Sequence, residues 1–240
     1  MAEKVLHISP EGHPAADRIG YLNRKKDREK ALDIVAQGGT IQMIIGDRKG
    51  GVGGIFFDLD NPEAVERVVR IKSTPEKSRQ ALFAVMTPDD DFAEVVDLDL
   101  AEASNLLKLA IFWRVPVKDL SLFPDHARAT KTSGETFIQA FPSDRVPFFS
   151  RLVREARDRG IRLGGTSLNY SGRGNITQIE EVEKFFVESG ERNFWLNSRA
   201  NLTGTSYTIV EVGKSETGLS LSREGNMKFD KILQKLGYAD

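Results

Sequence analysis

No cysteine occurs among the 240 residues, which excludes disulfides, thiolate metal sites and cysteine nucleophiles. Histidine is nearly as scarce: His7, His13 and His126 lie too far apart in sequence to suggest a metal cluster, and no metal site is expected from them. His7 and His13 flank an SPEGHP turn and read as part of a mobile terminal segment. No apolar run approaches the ~20 residues needed to cross a bilayer. The opening MAEKVLHISPEGHPAAD lacks the apolar stretch and cleavage site of a secretory signal, so a cytoplasmic protein without membrane contact is expected. An excess of one charge is missing too. Lys plus Arg number 34 against 35 Asp plus Glu, a net charge of −1. Nothing global therefore draws the chain to nucleic acid, and only a local basic groove remains as a route to RNA.

What is present is a soluble, globular composition, 40% hydrophobic and 29% charged, long enough to bury one sizeable core. Residues 1–26 read as a turn-rich N-terminal extension. Helical spacing marks Ala31, Leu32, Ile34 and Val35, stopped by Gly38 and Gly39, and TIQMII follows as a buried strand. Asn61 caps a helix whose first residue is Pro62, with apolar positions recurring from Ala64 to Val69 and on to Lys72. A second apolar strand is expected over 80–86. Residues 87–133 read as largely helical, with Asp89–Asp91 as a capping cluster. Strands are expected at 135–141 and through IRLGGTS, with an amphipathic helix between them ending at Gly160. QIEEVEKFFVES returns to helix. Short strands near 192–197, 205–212 and 218–222 precede a closing helix at 227–236. This alternation predicts an α/β fold: one domain over 27–226, with a mixed parallel and antiparallel sheet, and 227–240 packed on it.

Two stretches carry candidate chemistry. IQMIIGDRKGGVGGIFF resembles a strand entering a phosphate-cradling loop, yet it fails the Walker pattern, since Val52 and Gly53 stand where Lys and Ser/Thr are required. It also lacks the third glycine of a dinucleotide fingerprint. An anion-binding loop and a purely structural turn both remain open. GGTSLNYSG presents Thr166, Ser167, Asn169 and Ser171, short hydroxyl and amide groups suited to a phosphate or ribose. An Asx/Ser turn at a strand end is the alternative.

Taken in order, GGTIQMIIGDRKGGVGG, NPEAVERVVRIKSTPEK, FWRVPV, FIQAF, TSLNYSG, GTSYTIVEV and LSLSREG resemble the motifs of the YrdC-type threonylcarbamoyl-adenylate synthase family, over roughly residues 28–226. The resemblance implies a single twisted sheet with flanking helices around a large concave pocket. It also implies a reaction in which L-threonine, bicarbonate and ATP, with Mg²⁺, yield threonylcarbamoyl-AMP and pyrophosphate for modification of an adenosine in transfer RNA. Carried over residue by residue, Lys72 matches the first basic residue of the family's KxR, and Thr166, Ser167 and Asn169 its TSxN turn. Ser206 and Arg223 match the serine and arginine of its last motifs. These six positions are the implied nucleotide-binding set, with Lys72 and Lys118 as catalytic candidates. Gly46, Asp47, Arg48, Gly51 and Gly53 form the implied substrate loop.

The departures are equally specific. Ile45-Gly46 replaces the family's Pro-Thr pair, Thr74 replaces the second basic residue of KxR, Lys118 replaces a threonine, and Gln139 stands for a strand arginine. A permanently charged, bidentate guanidinium has no neutral equivalent. Arg48 and Lys118 read as ligand contacts, Lys49 and Arg79 as solvated residues. Phe148, Phe149 and Trp195 read as core, and Tyr170 as a base-stacking candidate. Two functions follow: a divergent ATP-dependent synthase acting on a small amino acid, or a module that has lost the chemistry and binds nucleotide or RNA.

Overall fold

The computed structural model describes residues 7–47, 50–73, 82–130, 135–171, 173–203, 206–213 and 218–239. In chain order the first elements are β1 (Ile19–Tyr21), α1 (Lys25–Ala36), β2 (Thr40–Asp47), β3 (Gly50–Asp58) and α2 (Pro62–Lys72). Next come β4 (Ala84–Thr87), α3 (Asp89–Val95), α4 (Leu100–Leu106), β5 (Phe112–Val115), β6 (Arg128–Thr130) and β7 (Thr136–Pro142). The last are α5 (Phe149–Asp158), β8 (Leu163–Ser167), α6 (Ile179–Glu188), β9 (Asn193–Asn197), β10 (Ile209–Val212), β11 (Leu219–Arg223) and α7 (Phe229–Leu236). They gather into two compact units, Met1–Gln80 with Glu155–Ser206 and Ala81–Arg154 with Tyr207–Asp240.

In the first unit the strands run β1-β9-β2-β3-β8. β9 pairs parallel with β1 and β2, while β3 pairs antiparallel with β2 and β8. Ala31, Leu32 and Val35 are fully buried, so the stripe read from the sequence is the face that α1 turns to β2 and β9. Arg28, on the same helix, is 4% exposed. It donates to both carboxylate oxygens of Glu155 at 2.8 and 2.7 Å and to the Leu22 carbonyl at 2.9 Å, which satisfies a buried charge in bidentate geometry.

The opening segment differs from the mobile tail expected around His7 and His13. Ile8 is buried, and its N–H and carbonyl are both tied to the Asn197 amide at 2.9 Å. His13 Nδ1 accepts from the Ala15 N–H, and its Nε2 lies 3.1 Å from Glu183. The reason is long-range: β1 adds a parallel strand to β9, a pairing invisible to local pattern.

The glycine stretch is a second correction. It is no open loop but a β-hairpin, with Ile45 opposite Val52, Gly46 opposite Gly51 and Asp47 opposite Gly50. Gly46 has φ 140°, a conformation that favours glycine. At Gly51 a Cβ would lie 2.7 Å from the Ile45 carbonyl and 2.8 Å from Ile44 Cγ2; at Gly53 it would lie 2.8 Å from Leu168 Cβ. These glycines are demanded by close packing of the backbone.

In the second unit β4-β7-β5-β10-β11 are neighbours, with β6 also on β7. β7 is parallel to β4 and antiparallel to β5; β10 is parallel to β5 and antiparallel to β11. The mixed α/β architecture is thus as the sequence implied. Phe112, Phe141, Phe149 and Tyr207 interlock, with ring centroids 4.9–6.3 Å apart. Phe149 and, in the first unit, Trp195 are core residues as expected. Phe148 is not: it is half-buried, has φ 67° and lies under the Arg151 guanidinium.

Residues 87–130, the described part of 87–133, are not largely helical. FWRV forms β5, with Trp113 and Val115 fully buried on one face, because a short apolar run fits a buried strand as well as a helix. The Asp89–Asp91 cluster does fall in the first turn of α3, but the helix has no side-chain cap at its N-cap residue, Pro88. The Asp89 N–H donates to the Asp144 carboxylate, and the Asp144 N–H donates back to Asp89. Arg154 bridges Asp144 and Asp90. Among the described residues no group of three His, Asp or Glu side chains is placed to hold a metal ion, and no helix is long and apolar enough to cross a membrane.

Two stability changes are expected. Gly51→Ala destabilises by about 1–3 kcal/mol in chemical denaturation because its Cβ meets backbone, whereas Gly174→Ala, with open space around its Cβ, is near neutral. Gln42 is fully buried in β2, and neither amide atom has a hydrogen-bond partner among the described residues. Gln42→Met therefore stabilises by about 1–3 kcal/mol, read as a higher denaturation midpoint at unchanged slope.

Candidate functional site

The site begins with the buried stripe of α2. Asn61 accepts from the Glu63 and Ala64 N–H groups, fixing the start of the helix and its rotation. Ala64 and Val68 then face inward, and four residues further on the same stripe delivers Lys72, 7% exposed. Its ammonium donates to the Ser167 carbonyl at 2.5 Å, the Asn169 carbonyl at 2.8 Å and Asn169 Oδ1 at 3.1 Å. An ammonium has three donors, and all of them are taken by these neutral oxygens.

The loop it grips is the TSLNYSG segment leaving β8. Leu168 donates to the Gly53 carbonyl, and Ser171 to the Lys72 carbonyl at 2.9 Å. Ser167 Oγ donates to Asn169 Oδ1 at 2.5 Å, while Asn169 Nδ2 reaches the Arg173 carbonyl at 2.7 Å. Lys72, Ser167 and Asn169, read separately in the sequence, are one hydrogen-bonded cluster. Thr166 sits beside them in β8, opposite Ile55.

A cleft of about 650 Å³ opens beyond this loop, lined by Asn169, Tyr170, Arg173, Asn175, Phe185 and Glu188 among others. Tyr170 packs on Phe185 with centroids 5.0 Å apart, donates its hydroxyl to Glu188 at 2.7 Å and lies 5.6 Å from the Arg173 guanidinium. Burial, then the Glu188 carboxylate, raises the pKa of its phenol. Ser206 accepts from Asn175 Nδ2 at 2.6 Å. Asn175, Phe185 and Glu188 carry no functional signal in the sequence, because a single asparagine or an amphipathic helix gives no local sign of facing a cleft.

Gly46, Gly51 and Gly53 lie in the hairpin, with Asp47 at the end of β2. Arg48, Lys49, Thr74 and Arg79 fall outside the described residues. The other predicted positions belong to the second unit. Lys118 donates to the Glu94 carbonyl at 2.8 Å, so its charge supports the end of α3. Arg223 donates to the Tyr207 carbonyl at 3.2 Å, and its pKa is lowered by burial and then by Arg114.

Burial lowers the Lys72 pKa from 10.5 to about 8. The folded value lies below the unfolded one, so the penalty for the buried ammonium is full below pH 8. It fades toward 10.5, and the stability due to this group rises across that window. NMR titration of the lysine ¹³Cε signals is expected to show one midpoint near 8 that vanishes in Lys72→Met; a lowest midpoint above 10 contradicts the burial. Lys72→Met also strands the loop acceptors and costs about 2 kcal/mol.

Comparison with known proteins adds kinship to this geometry. No family model matches the chain. A threonylcarbamoyl-AMP synthase of Vibrio vulnificus is 28% identical over 152 residues, covering 60% of this chain and 78% of that one. Among solved structures, P. abyssi Sua5 complexed with L-threonine aligns with a TM-score of 0.67 at 16% identity, over 92% of this chain and 61% of its own. E. coli YciO aligns at 0.63 and 16% identity, over 91% of this chain and 96% of its own. HypF in its phosphate- and nucleotide-bound form aligns at 0.60 and 16% identity, over 83% of this chain and 29% of its own. With the motif order read from the sequence and the strand pairing of both units, these likenesses show a fold like that of Sua5 and YciO and support a YrdC-like domain.

Proposed function

We propose that this chain binds ATP and a small amino acid and acts as a threonylcarbamoyl-AMP synthase-like nucleotidyltransferase serving transfer-RNA modification in the cytoplasm. The observation that carries the reading is the ordered TSLN turn, whose hydroxyl and amide groups are held in place by Lys72 at the mouth of β8. The relative's synthase activity, the L-threonine in Sua5 and the phosphate and nucleotide in HypF support the choice of ligands.

In the proposed reaction the amine and bicarbonate condense to a carbamate with loss of water. A carbamate oxygen then attacks the α-phosphorus of ATP, the bond to the bridging oxygen breaks, and pyrophosphate leaves. Thr166, Ser167 and Asn169 orient the nucleotide, Ser206 holds it, and the work is positioning and charge neutralisation. Mg²⁺ would accompany the triphosphate, as it commonly does with few protein ligands; no acidic cluster among the described residues offers a dedicated site.

One observation favours the second reading, a nucleotide- or RNA-binding module without turnover. Every N–H of Lys72 is engaged by protein, so contact with a ligand requires a bond to the loop to break. Pyrophosphate release from ATP, measured with bicarbonate and a panel of amino acids beside ATP calorimetry, separates the two. L-Threonine- and bicarbonate-dependent release is expected. Tight ATP binding without release instead establishes the module, and absence of ATP binding with salt-sensitive retention of RNA overturns the nucleotide reading altogether.

A further inference from the structure

The register of the second unit places polar groups from several strands on one face. Residues paired directly across a sheet share a face. Gln139 of β7 is opposite Arg114 of β5, and Arg114 is opposite Glu211 of β10. Along β10–β11 the pairing proceeds Val212–Leu219, Glu211–Ser220, Val210–Leu221, and then jumps to Ile209–Arg223. The skipped residue is Ser222, a β-bulge. Without it Arg223 would fall on the opposite face; with it, Arg223 joins Ile209 and Glu211, and therefore Arg114. Bulges commonly re-aim a side chain in this way beside functional sites.

Arg114 is held in place from several sides. Its Nε donates to Gln139 Oε1 at 3.4 Å, its guanidinium lies 5.4 Å from the centroid of the Phe137 ring, and Nη1 is 3.8 Å from Glu211. Both members of that ion pair are mostly shielded from solvent, their side chains 27% and 21% exposed. Arg223 is close enough for the charge of Arg114 to act on it. Arg114 thus has the Glu211 carboxylate beside it, Arg223 donates to the neutral Tyr207 carbonyl, and the three side chains Arg114, Arg223 and Glu211 carry a net charge of +1.

We propose that Arg114 and Arg223 form a phosphoryl-binding site on this sheet face, with Arg114 the cationic arm that the sequence motifs do not assign. Two planar forks suit a group with three oxygens. Gln139 and Phe137 orient Arg114, while Glu211 neutralises Arg114 when no anion is bound and is displaced by one. The identity of the ligand as a nucleotide phosphate rests on the function proposed above; the anion site itself does not.

The test is calorimetry of the full chain with inorganic pyrophosphate and, separately, with sodium acetate, at low ionic strength. Pyrophosphate binding is expected, with affinity falling about ten- to hundredfold in Arg114→Gln, little recovered in Arg114→Lys, and tightened in Glu211→Gln by removal of the competing carboxylate. ¹H–¹⁵N spectra of the arginine Nε–H groups in the unmutated protein provide a readout independent of any variant's folding: the Arg114 and Arg223 signals shift together on titration. Pyrophosphate affinity unchanged in Arg114→Gln, weakened in Glu211→Gln, absent in the unmutated protein, or matched by acetate overturns the proposal, as do unmoved arginine signals. Pyrophosphate binding that depends on Arg114 while ATP and L-threonine fail to turn over would leave this site standing and remove the synthase reading.

Discussion

The first unit is organised by the need to satisfy one buried ammonium. Taking Lys72 out of water is unfavourable unless every donor finds an acceptor, and here the acceptors are two carbonyls and an amide oxygen of one short loop. The helix, the loop and the end of β8 are thereby fixed as a single object. The same contact explains why a residue that motif matching marks as a ligand contact is, in this state, a structural cross-link. Any ligand that engaged Lys72 would compete with folding for the same N–H groups.

The glycines beside it follow a related logic. In the hairpin of β2 and β3 they allow neighbouring backbone and the Leu168 side chain to approach where a Cβ would collide. Leu168 is the central residue of the loop that Lys72 grips, and it donates its N–H to the Gly53 carbonyl. Small residues in one hairpin therefore set the position of hydrogen-bonding residues in another segment. A glycine-rich stretch can thus shape a site without touching a ligand.

In the second unit a one-residue irregularity has a comparable effect. The skip at Ser222 decides which face Arg223 occupies, and the strand neighbours of Arg114 decide what that face contains. The cationic pair is made by register, which is settled only when strands from distant parts of the chain align.

Much of the fold is legible in local sequence pattern. The Asn61 cap, the α1 stripe, β8 with its hydroxyl-rich loop and the closing helix α7 all rest on local rules of periodicity, capping and turn chemistry, and they stand as read. By local pattern the FWRV strand reads as helix, because four apolar-rich residues carry no period. β1 reads as loose chain, because its partner β9 lies far away in sequence. The aspartates of α3 read as its cap, whereas the carboxylate that reaches the Asp89 N–H belongs to Asp144.

The candidate site divides along the same line. By itself the sequence determined the family likeness, the residue types of the TSLN turn and the helical stripe that ends at Lys72, since each depends on neighbours within a few positions. Only the tertiary structure decided that Lys72 grips that turn, that the glycines close a hairpin, and that Arg114 shares a face with Arg223. Those facts depend on pairing and burial between distant segments, where the cost of an unsatisfied charge or a misplaced Cβ selects one arrangement.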